Sequence, residues 1–243
     1  MKALILRLDA PLVSFGGVMI DQHGVIDRFP GHALLTGLIG NALGWRHGDG
    51  ERLQALQARL RLAARWDVAP TRIVDYHTVD LGQAKMCKEG WTTRGVTEHR
   101  DGGTAAKFGT HQRYRHYWAD GLMTTALTLV GDDEPTLDQV HQALQRPARP
   151  LFIGRKTCLP ARPLLDPARP ILEGETPQEI LARIPLWQRD GTVDQVARQV
   201  EACWTAGEGE GEYNRVADRR DWISNLPAGS TVRIEGLLEG GGA

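Results

Sequence analysis

The segment from Asp80 to Gln112 holds six glycines, few aliphatic residues and no sustained hydrophobic period. Patternless stretches longer than about 12–15 residues are uncommon inside compact domains and are usually functional or mobile. The core must therefore come from the sequence on either side. Upstream, Ala3, Leu4, Ile5, Leu6 and Leu8 make residues 2–8 a buried strand. A loop with Pro11, Gly16, Gly17 and Gly24 follows, and then a helix over Ala33 to Gly44 with Leu35, Leu38, Ile39 and Ala42 at helical spacing. Gly37, Gly40 and Gly44 share one face of it. Each glycine costs roughly 1 kcal/mol relative to alanine, so that face needs a close approach, for which helix–sheet packing is the ordinary reason. A second helix is expected from about Gly50 to Ala64, capped by Asp49 and lined by Leu53, Leu56 and Leu60. Arg65 to Val79 is strand-like around Pro70.

Downstream of the excursion, Arg113 to Val130 returns to strand character. Thr136 and Gln139 form a capping box that opens a helix ending at Pro147, and Pro150-Leu151-Phe152-Ile153 reads as a short apolar strand. The order is strand, helices, strand, excursion, strand, helix, strand: the β-α-β-β-α-β order of an α+β, ferredoxin-like fold, with one helix added. Residues 1–155 are assigned to this domain, with the excursion at about 80–112, and residues 156–243 to an irregular C-terminal extension. The extension is rich in proline and glycine and holds short helices, one opened by Thr176-Pro177-Gln178-Glu179. It also holds an acidic low-complexity loop, Gly207 to Glu212, and a last strand at Thr231 to Leu238.

Composition narrows the function. Hydrophobic residues make up 41% and charged residues 24%, so the chain is not a disordered one. No apolar run reaches about 18 residues, so no membrane span is expected. The apolar run after Lys2 is too short for a signal-peptide core, and a cytoplasmic protein is expected. Cys87, Cys158 and Cys203 are isolated, and there is no H-E-x-x-H, so neither a disulfide framework nor a metal site nor any other cofactor is expected. The net charge of −1 hides a gradient. His141 to Arg169 carries six Lys/Arg and one acid, while Glu173 to Ala243 carries seven Arg and thirteen acids.

Three features could carry chemistry. Gly154-Arg155-Lys156-Thr157-Cys158 follows the short apolar stretch and is flanked by Arg146, Arg149 and Arg162. A glycine before two cations lets backbone approach a phosphate, while Arg and Lys supply charge-assisted hydrogen bonds. The first glycine of a Walker A loop is missing, and the bland alternative is a solvated basic loop. The start of the first helix, Pro30-Gly31-His32 with Arg28 nearby, could face an anion. From Lys107 to Trp118, the cationic or titratable Lys107, His111, Arg113, Arg115 and His116 interleave with Phe108, Tyr114, Tyr117 and Trp118. That pattern suits single-stranded nucleic acid, and equally a core strand with a charged outer face. His77, His99, His111 and His116 with Lys107 and Tyr114 could alternatively make a metal-free ribonuclease, although no spacing specifies one.

Four motifs carry a resemblance: Leu8-Asp9-Ala10-Pro11-Leu12-Val13-Ser14-Phe15-Gly16, the glycine-rich Gly37 to Gly44, Asp75-Tyr76-His77-Thr78-Val79, and Arg149-Pro150-Leu151-Phe152-Ile153-Gly154-Arg155-Lys156-Thr157-Cys158. In that order they resemble the CasD family of CRISPR-associated Cascade subunits, subtype I-E-like, within the RAMP superfamily. The match departs from the family at Pro30-Gly31-His32-Ala33, where the family has Pro-[ST]-x-[ST], and at Ala119-Asp120-Gly121-Leu122-Met123, where it has A-D-A-x-F.

The resemblance implies an RRM-like ferredoxin domain with a protruding thumb at the patternless segment. It implies a non-catalytic subunit that grips the 5′ handle of the CRISPR RNA and caps one end of the backbone filament. The partners implied are the CRISPR RNA, the backbone subunit CasC, the large subunit CasA and, through the complex, target DNA. Arg155 and Lys156 would contact handle phosphates, helped by Arg28, Arg113, Arg115 and Lys107, with Ser14 in the loop that shapes the pocket. The alternatives are a metal-independent endoribonuclease resting on His111, Tyr114, His116 and Lys107, as in the related subtype I-C subunit, and a protein–protein adaptor suited to the acidic tail.

Overall fold

A computed structural model describes residues 1–17, 19–80, 90–91, 97–98, 110–194 and 196–240. In chain order the strands and helices are β1 (Lys2–Asp9), β2 (Leu12–Val13), β3 (His23–Gly24), α1 (His32–Ala42), α2 (Gly50–Arg59), β4 (Leu60–Val68), β5 (Thr71–Asp80), β6 (Gly90–Trp91), β7 (Thr97–Glu98), β8 (Thr110–Ala119), β9 (Leu122–Leu129), α3 (Leu137–Gln145) and β10 (Ile171–Glu173). They continue with α4 (Pro177–Ala182), β11 (Leu186–Trp187), β12 (Val193–Asp194), β13 (Arg198–Thr205), β14 (Glu212–Val216), β15 (Arg220–Asp221), β16 (Leu226–Pro227) and β17 (Thr231–Gly240). The chain forms two compact units. The first comprises Met1–Val18, Ile26–Ile73 and Tyr117–Ala243, and the second Met19–Val25 and Val74–His116.

The first unit is a mixed α/β body around a seven-stranded sheet in the order β10-β1-β9-β4-β13-β17-β14. Each neighbouring pair is antiparallel. Its strands β1, β4 and β9 are buried along most of their length because both faces of the sheet are covered there. Leu4, Leu6 and Leu8 of β1 join Leu35, Leu38 and Ile39 of α1, Leu56 of α2 and Val140 and Leu144 of α3 in one core. Ala3 and Ile5, on the opposite face of β1, join Ile180, Leu181 and Ile184 in a second core. Burying one such aliphatic side chain contributes about 1.5–3 kcal/mol, so both faces matter.

Several expectations are corrected by this sheet. The second helix stops at Arg59, and Leu60 to Ala64 belong to β4. Leu53, Leu56 and Leu60 do have helical spacing, but Leu60, Leu62, Ala64 and Trp66 also alternate at period two, and β4 takes them into the core. Asp49 sits at the N-cap without a side-chain cap; its carboxylate instead accepts from the Arg46 N–H at 2.6 Å. Pro150 to Ile153 is not a strand. The Ile153 N–H donates to the Cys158 carbonyl at 2.8 Å and its own carbonyl accepts from Ser14, which closes a loop. The outer edge of β1 is taken by β10. The C-terminal extension is not irregular either: β13, β17 and β14 complete the sheet. Ala202 and Trp204 enter the second core, with Val200 also buried, while Cys203 enters the first, so both faces of β13 are used. The α3 capping box is present in both directions, Gln139 N–H to Thr136 and Thr136 N–H to Gln139.

The glycines of α1 admit neighbours other than the sheet, one from α2 and one from the turn after β15. A Cβ on Gly40 would lie 2.6 Å from Leu53 of α2, and one on Gly37 would touch Trp222. Gly31 is required by Asp218, whose Cβ lies 2.5 Å from where a Gly31 Cβ would be. Asp218 also fills the helix start. Its carboxylate accepts from the His32 N–H at 3.0 Å and faces His32 Nδ1 at 2.8 Å, and its carbonyl accepts from the Ala33 N–H at 2.8 Å. The orphan donors of this terminus are thus capped from the C-terminal region, which explains the first departure from the family motif. The second has a parallel cause: a Cβ on Gly121 would come within 2.5 Å of the Trp66 ring.

A buried charge cluster ties the elements together. Arg7 of β1 donates to Asp166 at 2.8 Å and to Asp67 at 2.9 Å, and Arg65 donates to the other Asp67 oxygen at 2.8 Å. Arg65 also donates to the carbonyls of Leu181 and Ile184, each at 2.7 Å, and Pro185 at 3.0 Å. Thr124 Oγ1 and the Trp187 N–H donate to Asp67 at 2.5 and 3.2 Å. None of the four charged residues is more than 4% exposed. Burial lowers the Arg7 pKa to about 10, against the opposing pull of Asp67 and Asp166.

Removing one partner of such a cluster strands a buried charge, at a cost of about 3–5 kcal/mol. Asp67→Ala is therefore expected to lower the urea midpoint by a shift of that size, and a change below about 1 kcal/mol would show the cluster to be dispensable. A second expectation concerns acid. Burial pushes the Asp218 carboxyl up, but hydrogen bonds from His32 and Thr231 outweigh it and hold the pKa at about 2 against an ordinary 3.8. Because the folded value is the lower one, the stability it contributes is fully present above pH 3.8 and lost as pH falls through about 2. Denaturation followed across that range should lose this component in Asp218→Asn; an unchanged acid limb would count against the assignment.

Candidate nucleic-acid interface

The basic loop is built by a junction between two of the sequence motifs. The Ser14 N–H donates to the Ile153 carbonyl at 3.1 Å. Gly154 adopts φ +106°, and a Cβ there would lie 1.9 Å from the Ser14 carbonyl oxygen. No side chain fits, so glycine is required both by conformation and by space. The close approach Gly154 permits is thus to the chain's own backbone at Ser14, not to an incoming phosphate. The Cys158 N–H donates to the Arg155 carbonyl at 2.8 Å and closes the turn. The Cys158 thiol is buried, which pushes its pKa up. It anchors the loop as a small apolar group, not as a reactive one.

This turn presents two cations. The guanidinium of half-buried Arg155 sits 4.8 Å above the ring of Tyr117, which is itself 2% exposed. A cation held over an aromatic face keeps its charge while losing freedom. Lys156 and Thr157 follow in exposed positions. Two of the neighbouring arginines are committed elsewhere. Arg149 Nε donates to Asn41 at 2.8 Å, and a second bond reaches the Trp45 carbonyl, which staples the loop to the end of α1. Arg162 pairs with Asp9 at 2.7 Å.

Arg28 lies in the same unit and is engaged by aromatic rings and an acid. Its guanidinium lies 4.7 Å from the Trp118 ring and 5.3 Å from that of Trp66, and its Nε donates to Glu201 at 2.6 Å. Glu201 comes from β13 and escapes a local reading of the sequence. Ser14 is 3% exposed and contributes backbone rather than an accessible hydroxyl. The start of α1 does not face an open anion site, since Asp218 occupies it.

The remaining candidates belong to the second unit. Arg113 donates to the Asp21 carbonyl at 3.0 Å, and Arg115 is exposed on β8. Lys107 and His99 lie outside the described residues. His111 is exposed and His116 buried. Of the interleaved aromatics, Tyr117 is core and Trp118 donates its indole N–H to the Asp27 carbonyl at 2.8 Å, so the packing alternative holds for both. Tyr114 behaves differently: it stacks on His23 with centroids 4.7 Å apart and lies 5.0 Å from Tyr76. Two histidines have carboxylate partners that sequence spacing did not reveal: His32 with Asp218, and His77 with Asp75 at 2.5 Å. Among the described residues, no group of three or more His, Cys, Asp or Glu is placed to hold a metal ion. No helix among them is long and apolar enough to cross a membrane.

Residues 3–231 match the family model described as CRISPR-associated protein (Cas_Cas5). The chain is 30% identical over 187 residues to the CRISPR system Cascade subunit CasD of Escherichia coli (strain K12), a match covering 71% of this chain and 76% of that protein. Among solved structures, one described as a CRISPR RNA-guided surveillance complex aligns with a TM-score of 0.70 at 23% identity, covering 98% of this chain and 90% of that one. Another, described as a Cas protein, aligns with a TM-score of 0.60 at 21% identity, covering 98% and 94%. The two structures share the fold; the family model and the CasD relative establish descent, and the chain belongs to the CRISPR-associated Cas5 family that includes CasD.

Proposed function

We propose that this chain is a non-catalytic subunit of a Cascade-type surveillance complex. It binds the 5′ handle of the CRISPR RNA and caps one end of the backbone filament in antiviral defence. Its partners are the CRISPR RNA, a CasC-like backbone subunit, a CasA-like large subunit and, through them, target DNA, all in the cytoplasm. The core reads as ferredoxin-like, which the order β10-β1-β9-β4 with antiparallel neighbours supports. Residues at about 80–112 serve as the thumb.

The observation that carries this reading is the Gly154–Ser14 junction. It locks two distant motifs together and holds Arg155 over Tyr117, with Lys156 exposed beside it. Arg155 and Lys156 bind phosphates of the handle, and Ser14 positions them through its backbone. Arg28 joins when a phosphate replaces Glu201 as its counter-ion. Arg113, Arg115 and Lys107 add contacts from the second unit.

Arg155→Ala with Lys156→Ala should weaken handle binding while leaving the isolated fold intact, since Lys156 is exposed and the cation–π contact that Arg155 gives up contributes about 0.5–2 kcal/mol. Each lost phosphate contact on a single strand lowers the log–log salt slope by about 0.7, so the double variant should lose about 1.4. Wild-type affinity with an unchanged slope would remove the phosphate grip.

The observation nearest to ribonuclease chemistry is the Asp75 carboxylate 2.5 Å from His77 Nε2, a contact without hydrogen-bond geometry that does not fix the imidazole as a general base requires. The assembly reading expects no cleavage of precursor CRISPR RNA by the purified protein, with or without a chelator. A positioned acid–base group contributes on the order of 10²–10⁴-fold, so activity would be plain in a gel assay. Cleavage at the repeat that His77→Ala, His111→Ala or His116→Ala abolishes would replace the assembly reading with the nuclease one.

A further inference from the structure

In the second unit, β8 is flanked by β3 and β5. His23 of β3 is the direct cross-strand partner of Tyr114. Their rings stack with centroids 4.7 Å apart and planes 10° from parallel. Tyr76 of β5 continues the row on the other side of Tyr114, at 5.0 Å and 31°. Three rings from three strands thus stand in line across the sheet. Side chains alternate along a strand, so His116 lies on the same face, and its ring is 6.1 Å from that of His23.

This row differs from the aromatic packing of the first unit, where Trp66 and Tyr117 are each 2% exposed. Tyr76 is 50% exposed, and His23 at the other end is exposed too. An aromatic row left open at its ends, with rings already at stacking distance, has room for one more flat ring in register. Arg113 and Arg115 alternate with Tyr114 and so stand on the opposite face of β8, where Arg113 reaches the carbonyl of Asp21. The row itself offers two phenol rings and an imidazole. Exposed rings on one face of a strand that carries cations on the other suit an unpaired base whose backbone passes the strand. A peptide would instead need a pocket for its side chains, which a flat row does not offer.

We propose that Tyr76, Tyr114 and His23 form a stacking platform for one unpaired nucleobase of the bound RNA. The proposal rests on the RNA-binding reading above and adds a base contact to it. It gives the tyrosine of Asp75-Tyr76-His77-Thr78-Val79 a task that strand packing does not require, since that side chain is half exposed.

The test uses the full chain and a single-stranded RNA octamer of mixed sequence, in two series. One series carries 2-aminopurine at each position in turn, and the other an abasic residue. Wild-type protein should quench 2-aminopurine at one position, and the abasic residue at that position should weaken binding about tenfold, within the stacking range of about 1–3 kcal/mol per base. Tyr76→Ala should lose both effects, while Tyr76→Phe, which keeps the ring, should retain them. Binding of the parent octamer that ignores every abasic substitution overturns the platform and leaves the phosphate grip standing. The platform also falls if Tyr76→Ala behaves as wild type, or if Tyr76 is shielded in the assembled complex without any base dependence, which would give the face to a protein partner. Failure of the parent octamer to bind removes both readings.

Discussion

The carboxylate of Asp67 is the point at which the first unit is joined. One oxygen takes Arg65 and the other takes Arg7, Thr124 and the Trp187 N–H. Through Arg7 the cluster reaches Asp166, which accepts the N–H groups of Ala168 and Arg169 and so shapes the approach to β10. Through Arg65 it holds the three carbonyls at the end of α4. Two arginines and two aspartates leave the cluster formally neutral, and nearly every donor and acceptor has a partner. That is the condition under which buried charges are tolerated at all. Without it, the 164–187 segment would have no fixed place on the sheet, and the second core, which needs Ile180, Leu181 and Ile184, would lose its cover.

The basic loop depends on that scaffold indirectly. Arg155 and Lys156 follow Ile153, which is buried in the first core, and precede Cys158, which is buried there too. Two anchors five residues apart, with the Ser14 backbone against Gly154 between them, leave the loop little freedom. A cation presented this way loses less entropy on meeting a phosphate than one on a free surface loop. The same economy applies to Arg28, held between indoles. There, however, an acid already occupies the place a phosphate would take, so binding at Arg28 is an exchange of partners.

Local signals suffice where they are self-contained. The capping box at Thr136 and Gln139 and the buried run of β1 each depend on residues within a few positions. The failures share a cause. Leu60 satisfies both a helical and a strand period, and only the ladder between β4 and β9 decides between them. Pro150 to Ile153 is apolar enough for a strand, but it is used to bury a loop. The strands β13 and β17 carry Glu201, Arg233 and Glu235 among their apolar residues, and these charges find partners far away or across one step of strand. Asp218 was invisible as a helix cap because it lies 186 residues from His32. Of the candidate site, the basic turn was legible in sequence, whereas its true neighbour, the Ser14 backbone, was not. The row of Tyr76, Tyr114 and His23 could not be read from interleaving on β8 alone, since two of its three rings come from other strands.

The buried cluster also sets when this protein can fold as it is made. Arg7 and Arg65 are synthesised early, yet their partners Asp166 and the Ile184 carbonyl come 159 and 119 residues later. At about 5–20 residues per second, Arg65 waits on the order of 6–24 seconds for its acceptor to appear. During that interval the two guanidiniums share the single carboxylate of Asp67, so the N-terminal half carries one uncompensated charge at the centre of its sheet until Asp166 is made.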